Sequence, residues 1–344
     1  MGNKIMTNTI FEEDINNIIK DFDMSVFDGK TVLVTGATGL LGKLCVKSLL
    51  SSGYNTQVIA LVRDKSKAES VFDESKRLSF LVQDIDQKIQ TERRVDYIIH
   101  TASTTSSKDF VEKPVETIYT ALNGTRNVLE FAKNKKITSM IYLSSLEVYG
   151  VPQNEDIKED DYGFIDILNP RSSYSESKRM VETLCVSYGC EYGVPVKIAR
   201  LAQTFGAGVS KYDNRVFAQF AKAVINEENI VLHTKGETKR NYCYTTDAIS
   251  GIFTILTKGE KNNAYNVANK NTYISIADMA KSLENDKTKV VFEIDDVNRG
   301  YNPTVLICLD TEKLEALGWR AMVDLDEMFE RTIGDLKLQV MDEI

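Results

Sequence analysis

Tyr174 and Lys178 lie four residues apart in the run YSESK, a spacing that sets both side chains on one face of a helix. With 15 tyrosines in a lysine-rich chain, roughly one such pair is expected by chance, and no other is present. Weight comes from Ser145, which ends the run Ile141-Tyr142-Leu143-Ser144-Ser145 and so places a hydroxyl at the carboxyl end of a strand. Taking hydride from a carbinol carbon requires removal of the hydroxyl proton, and a phenol of pKa about 10 is a weak base at neutral pH. A nearby ammonium and the positive ring of a hydride acceptor lower that pKa by about 3 units, roughly 4 kcal/mol. In this reading Lys178 supplies the ammonium, Tyr174 moves the proton and Ser145 holds the substrate oxygen. The bland alternative is a Tyr/Lys pair on a solvated helix face.

The elements that must carry these residues begin with the strand Thr31 to Thr35 and the turn Thr35-Gly36-Ala37-Thr38-Gly39-Leu40-Leu41-Gly42, followed by a helix to Ser51. Gly36 and Gly39 let the backbone approach a pyrophosphate, Gly42 lets the helix pack on the strand, and the helix start offers free amides to an anion, with Thr38, Leu40 and Leu41 beside it. The second strand closes on Val62 where an acid would bind an adenosine ribose, and Arg63 follows it. A guanidinium there pairs with a 2'-phosphate, which favours NADP(H) slightly over NAD, or else it stacks on adenine or is solvated. Asp84 with Ile85 can reach the adenine, and Thr101-Ala102-Ser103 closes a strand near the ribose; each is equally an ordinary strand end.

Further apolar runs at 58–62, 78–82, 97–100, 140–143 and 196–198 alternate with helical stretches, the longest near 115–133 and 173–188. That alternation predicts an α/β fold, a Rossmann-like doubly wound parallel sheet with a smaller C-terminal substrate-binding lobe. Residues 1–28 read as a helical extension, 29–200 as the dinucleotide-binding domain and 201–344 as mainly the lobe, interleaved with it. The net charge of -8 argues against a nucleic-acid binder. Five cysteines without a CxxC pair, and only two histidines, give no metal constellation and fit a reduced, cytoplasmic protein. No apolar run approaches the roughly 20 residues of a membrane span.

TGATGLLG (35–42), HTAS (100–103), NGTRNVLEFA (123–132), LSSLEVYG (143–150), YSESK (174–178), RNYCY (240–244), AYNVAN (264–269) and LGWR (317–320) together resemble the extended short-chain dehydrogenase/reductase family of NAD-dependent epimerases and dehydratases. The resemblance implies a nucleotide-diphosphate sugar as substrate and oxidation at its C4. It makes Tyr174 the base, Ser145 its partner, Lys178 the ribose ligand and Arg240 a pyrophosphate ligand. Within the family, NPRSSYSESKRMVETLC (169–185) is similar to UDP-glucuronate decarboxylases of the UDP-xylose synthase type. Glu147 takes the acidic position that decarboxylases and dehydratases share, and Arg215 matches an arginine that meets the sugar carboxylate. Leu146 replaces a hydroxyl or carboxylate, which speaks against dehydration, and Phe205 and Ala207 replace the usual Tyr and Pro. Glu147 acts at C5 or simply caps a loop. The readings side by side are decarboxylation or 4-epimerisation with retained cofactor, NADPH-dependent reduction of a 4-keto sugar, 4,6-dehydration, and a non-catalytic dinucleotide sensor. The two long helices resemble those through which family members dimerise, so a homodimer is expected.

Overall fold

The computed structural model of the chain describes residues 9–294 and 304–341. Five apolar runs form β1 (Thr31–Thr35), β2 (Gln57–Val62), β3 (Leu78–Val82), β4 (Tyr97–His100) and β5 (Ser139–Ser145). The two-residue β6 (Asp156–Ile157) leaves for another sheet, and β7 (Val196–Leu201) completes the expected set. A seventh strand joins them from far along the chain: after β8 (Gln203–Phe205), β9 (Ile230–Leu232) and β10 (Lys239–Tyr244), β11 (Ala264–Val267) pairs with β7. The sheet runs β11-β7-β5-β4-β1-β2-β3 with every pair parallel. Strand order reverses between β1 and β4, and such a switch point opens a crevice at the carboxyl ends of the strands.

Helices cover both faces, as buried parallel strands require. In β1 the fully buried Val32 and Val34 point to one face and Leu33 to the other. The first face meets α1 (Ile10–Asp21), α2 (Leu40–Ser51) and a later helix through Ile18, Phe27, Leu44, Ile252 and Phe253. Past the short α3 (Lys65–Val71) and α4 (Ser107–Glu112), the second face meets α5 (Pro114–Lys135) and α6 (Ser173–Tyr192) through Val128, Leu129, Val181 and Cys185. The amphipathic α7 (Val216–Asn226) belongs to the lobe, whereas α8 (Thr245–Lys258) returns to the first face, with every residue from Thr245 to Leu256 buried. Its polar residues are satisfied inside the fold: Ser250 and Thr254 donate to carbonyls one turn back, and Asp247 accepts from the Met322 and Val323 amides.

The lobe adds a mixed sheet of β12 (Asn269–Ser275), β10, β14 (Leu306–Leu309) and β6, with β8 alongside β10, and a pair formed by β9 and β13 (Val290–Phe292). Its core centres on Phe205, which stacks on Phe217 at 4.4 Å and tilts against Phe329. The short α9 (Ile276–Lys281) and α10 (Glu312–Glu315) precede the closing helix α11 (Leu325–Met341).

The N-terminal helix α1 starts on a capping box between Thr9 and Glu12 and buries Asp14. Asp14 accepts hydrogen bonds from the Tyr244 hydroxyl at 2.6 Å and from Arg331 of α11 at 2.7 Å. Burial outweighs these donors and lifts its carboxyl to about 6. One turn further along α11, Asp335 accepts from the Gly208 amide at 2.8 Å, and Gln339 takes the Lys211 amide and donates to the Val209 carbonyl. The loop of residues 206–215 is thus held by its backbone. Among the described residues no helix is long and apolar enough to cross a membrane.

Candidate active site

At the switch point the β1–α2 turn is shaped for close approach. Gly36 has φ +62°, and a Cβ there would stand 2.6 Å from Thr101 Oγ1 and 2.9 Å from the Ala102 backbone. A Cβ on Gly42 would stand 2.3 Å from the Gly36 carbonyl, so α2 rests on the turn itself. Gly39 caps α2 without a side chain, leaving the first-turn amides to an anion. Thr35 Oγ1 bonds His100 Nδ1 at 2.7 Å and accepts from the Ala102 amide at 3.2 Å, and His100 Nε2 meets Thr125 Oγ1 at 3.0 Å. Burial, with the Lys178 charge adding to it, pushes His100 down to about 3, so this ring stitches β1 to β4 as a neutral group. A cradle that a single methyl group would fill fits the pyrophosphate of a dinucleotide.

Ser145 ends β5 and caps the 3-10 turn Leu146–Tyr149, accepting from the Glu147 amide at 3.3 Å. Tyr174 and Lys178 follow in the first two turns of α6. Tyr174 stacks on Phe110 of α4 at 4.1 Å and 13°. Burial and the neighbouring Glu147 carboxylate hold its phenol well above the usual tyrosine range, while the Ser145 hydroxyl pulls it down. Lys178 is 2% exposed, donates to the Leu143 carbonyl at 2.8 Å and lies 4.7 Å above the Tyr142 ring and 5.6 Å from that of Tyr174. Burial lowers its ammonium to about 8, with Glu182 one turn on opposing.

Cradle and triad share one cleft of about 700 Å³. Gly36, Thr38, Gly39, Leu40, Leu41 and Gly42 form one end with Arg63, Asp84 and Ile85. Thr101, Ala102 and Ser103 line its middle, Ser145, Glu147, Tyr174 and Lys178 its floor, and Arg215 and Arg240 come from the lobe. The candidate catalytic, cofactor and substrate residues therefore line one cleft, whereas Phe205 and Ala207 are buried outside it. Arg215 is not free there, because Asp213 accepts from its Nε and Nη2 at 3.0 and 2.6 Å. Arg171 donates to both Glu147 oxygens at 2.9 Å, and Ser175 Oγ donates to one of them at 2.9 Å.

Sequence reasoning misses Arg171 and Phe110, which come from separate elements and carry no spacing signal. It also misses Lys67, which joins Arg63 at the cradle end, and the hydroxyl-rich wall Thr104 to Ser107. The run STTSS after His100 is the signal that marks that wall.

Residues 32–268 match the model of the NAD dependent epimerase/dehydratase family. The chain is 28% identical over 316 residues to UDP-glucuronic acid decarboxylase 1 of Danio rerio, spanning 90% of this chain and 73% of that protein. To UDP-glucuronic acid decarboxylase 5 of Arabidopsis thaliana it is 28% identical over 324 residues, 90% of each. To the dTDP-D-glucose 4,6-dehydratase of Dictyostelium discoideum it is 30% identical over 272 residues, 74% of this chain and 61% of that one. The crystal structure of UDP-glucose 4-epimerase from Thermotoga maritima has the same fold, with a TM-score of 0.76 at 23% identity over 90% of this chain and 99% of that one.

Proposed function

Because the chain belongs to the NAD dependent epimerase/dehydratase family, we propose that it is an enzyme that oxidises C4 of a nucleotide-diphosphate hexuronate, releases carbon dioxide and reduces C4 again, as in UDP-glucuronate decarboxylation. The observation that carries this reading is the convergence of Ser145, Tyr174 and Lys178 with the glycine cradle in one cleft.

The residues divide the work. Arg240 meets the diphosphate, since a guanidinium bridges two phosphate oxygens. When bound, the nicotinamide supplies the hydride acceptor and donor and a positive charge near the phenol. Tyr174 takes the proton of the C4 hydroxyl, and Ser145 donates a hydrogen bond to the same oxygen. Oxidation at C4 makes the substrate a β-keto acid. Its C5–C6 bond breaks with the electron pair moving onto O4, where Tyr174 and Ser145 hold the enolate by hydrogen bonds. After C5 takes a proton from solvent water, Tyr174 returns its own to O4 as C4 is reduced.

Leu146 speaks against dehydration. It is 5% exposed and lines the cleft where a leaving hydroxyl would need an acid. An apolar wall instead strips water from a carboxylate, which favours loss of carbon dioxide. One observation favours 4-epimerisation of a neutral sugar as second reading: Asp213 already occupies two of the Arg215 donors, leaving less for a sugar carboxylate. At the cofactor's far end, Arg63 and Lys67 with no acid at Val62 support NADP(H) over NAD. The exposed Ile118, Tyr119 and Met180 on α5 and α6 support a homodimer through those helices.

The test is to incubate the protein, without added cofactor, with UDP-, GDP-, CDP- and dTDP-sugars, and to follow mass and proton NMR. Loss of carbon dioxide from a hexuronate is expected. Unchanged mass with inverted coupling at C4 selects the second reading, and a strict requirement for stoichiometric NADPH rejects both.

A further inference from the structure

Arg171 stands behind the site and does not line the cleft; Glu147, which it grips, does. The grip is a fork on a fork: Nη1 donates to Oε2 and Nη2 to Oε1, each at 2.9 Å, with both side chains mostly buried. Ser175 Oγ adds a third donor to Oε2. The Arg171 backbone amide donates to Asn169 Oδ1 at 3.0 Å, and the guanidinium carbon lies 5.1 Å from the centroid of the Phe110 ring. The same Phe110 ring stacks on Tyr174, and the Phe110 carbonyl accepts from Ser173 Oγ at 3.1 Å. Phe110 therefore lies against both Tyr174 and Arg171, and Arg171 clamps Glu147.

We infer that Arg171 is a positioning residue for proton transfer: it fixes the Glu147 carboxylate as a charged acceptor turned to the cleft and, through Phe110, sets the plane of the Tyr174 ring. The two tasks are coupled by charge. A phenolate forming on Tyr174 is opposed by Glu147, and Arg171 cancels part of that opposition. The other groups facing the phenol are Ser145 and Tyr142 of β5, Lys178 of α6 and Arg215 of the lobe, with Glu182 behind Lys178 and Asp109 of α4 lining the same cleft. Among the described residues Arg171 and Ser175 are the donors to the Glu147 carboxylate, so its compensation falls to them. Removing Arg171 should leave the carboxylate beside the phenol uncompensated. Removing Glu147 as well should make Arg171 dispensable.

This inference rests on the assignment of Tyr174 as the base, so its test reads the phenol directly and not turnover. The full chain is labelled with ζ-13C tyrosine, loaded with NADP+ and titrated by NMR between pH 6 and 10, with Tyr174→Phe assigning the signal. Relative to wild type, Arg171→Met should move the Tyr174 midpoint up by about one pH unit or more. Arg171→Lys should recover much of that shift, and Glu147→Gln/Arg171→Met should match Glu147→Gln alone. Equal titrations of wild type and Arg171→Met, including no titration in either, overturn the inference. So does a shift of the same size in the Glu147→Gln background, because a structural role alone would not depend on the charge at 147. Failure of the wild type to turn over any nucleotide sugar rejects the functional reading and leaves this comparison standing.

Discussion

Replacing Tyr174 by Phe removes one oxygen from a ring already held by Phe110, so the site should keep its shape and lose its chemistry. We expect kcat to fall by about 10²–10⁴-fold, the usual contribution of a positioned acid–base group, with the fluorescence-measured affinity for cofactor unchanged. A parallel loss of cofactor binding would mean that the ring is structural. At the far end of the cleft, Arg63→Ala with Lys67→Ala should weaken NADP+ binding by about tenfold or more and leave NAD+ binding alone, since hydrogen bonds to charged groups contribute about 1.5–3 kcal/mol each. Calorimetric titration with both cofactors checks this, and equal losses for the two would sink the NADP preference. The triad and the cradle were legible because local rules place them: a helical spacing of four, a hydroxyl at a strand end, glycines between strand and helix. Arg171 and Asp213 were not. Each is an ion-pair partner of a residue that was picked, and the Glu147–Arg171 partnership spans 24 residues, a distance over which no local rule operates.

At the scale of elements, α11 holds the loop that delivers Arg215. Asp335 and Gln339, one turn apart, grip the Gly208 and Lys211 amides and the Val209 carbonyl. Gly208, at φ +89°, allows the bend on which these contacts depend. Asp335→Ala with Gln339→Ala should raise KM for the nucleotide sugar about tenfold with little change in kcat, because the loop must then be ordered at the expense of binding energy. Hydrogen exchange over residues 206–215 should quicken in the same variant; an unchanged exchange pattern would refute the bracket. The strands of the sheet show why some elements read easily and others do not. β1, β2 and β5 are continuous apolar runs, as strands covered on both faces must be. β11 reads Ala-Tyr-Asn-Val, and its Asn266 is buried because Tyr149 donates to its carbonyl while its amide reaches the Ile157 and Asp310 carbonyls. A polar residue satisfied at long range breaks the apolar pattern. The start of α11 did carry a local mark, Asp324 followed by Glu327, whose amide donates to Asp324.

Across the whole molecule, α1, α8 and α11 meet near Asp247, which accepts from the Met322 and Val323 amides at 3.1 Å. Burial lifts its carboxyl from 3.8 to about 7 despite those two donors. The native state therefore binds this proton more tightly than the unfolded chain. The stability it contributes is fully present below about pH 4 and is lost as pH rises through 7, up to about 4 kcal/mol; Asp14, lifted to about 6, acts in the same direction over a narrower window. Asp247→Asn stays neutral and can accept from the same amides, so its thermal midpoint should match wild type near pH 4 and exceed it by a growing margin up to pH 8. Parallel curves would refute this. The largest consequence lies in the order of the strands. The cradle at Gly36–Gly42 is complete early in the chain, yet β7 gains its outer neighbour only from β11, about 60 residues later. At roughly 5–20 residues per second, a ribosome leaves β7 with an open edge for about 3 to 12 seconds. During that interval the nascent chain offers an unpaired strand to its neighbours, so this protein's yield in a cell should depend on chaperone occupancy more than its finished stability implies.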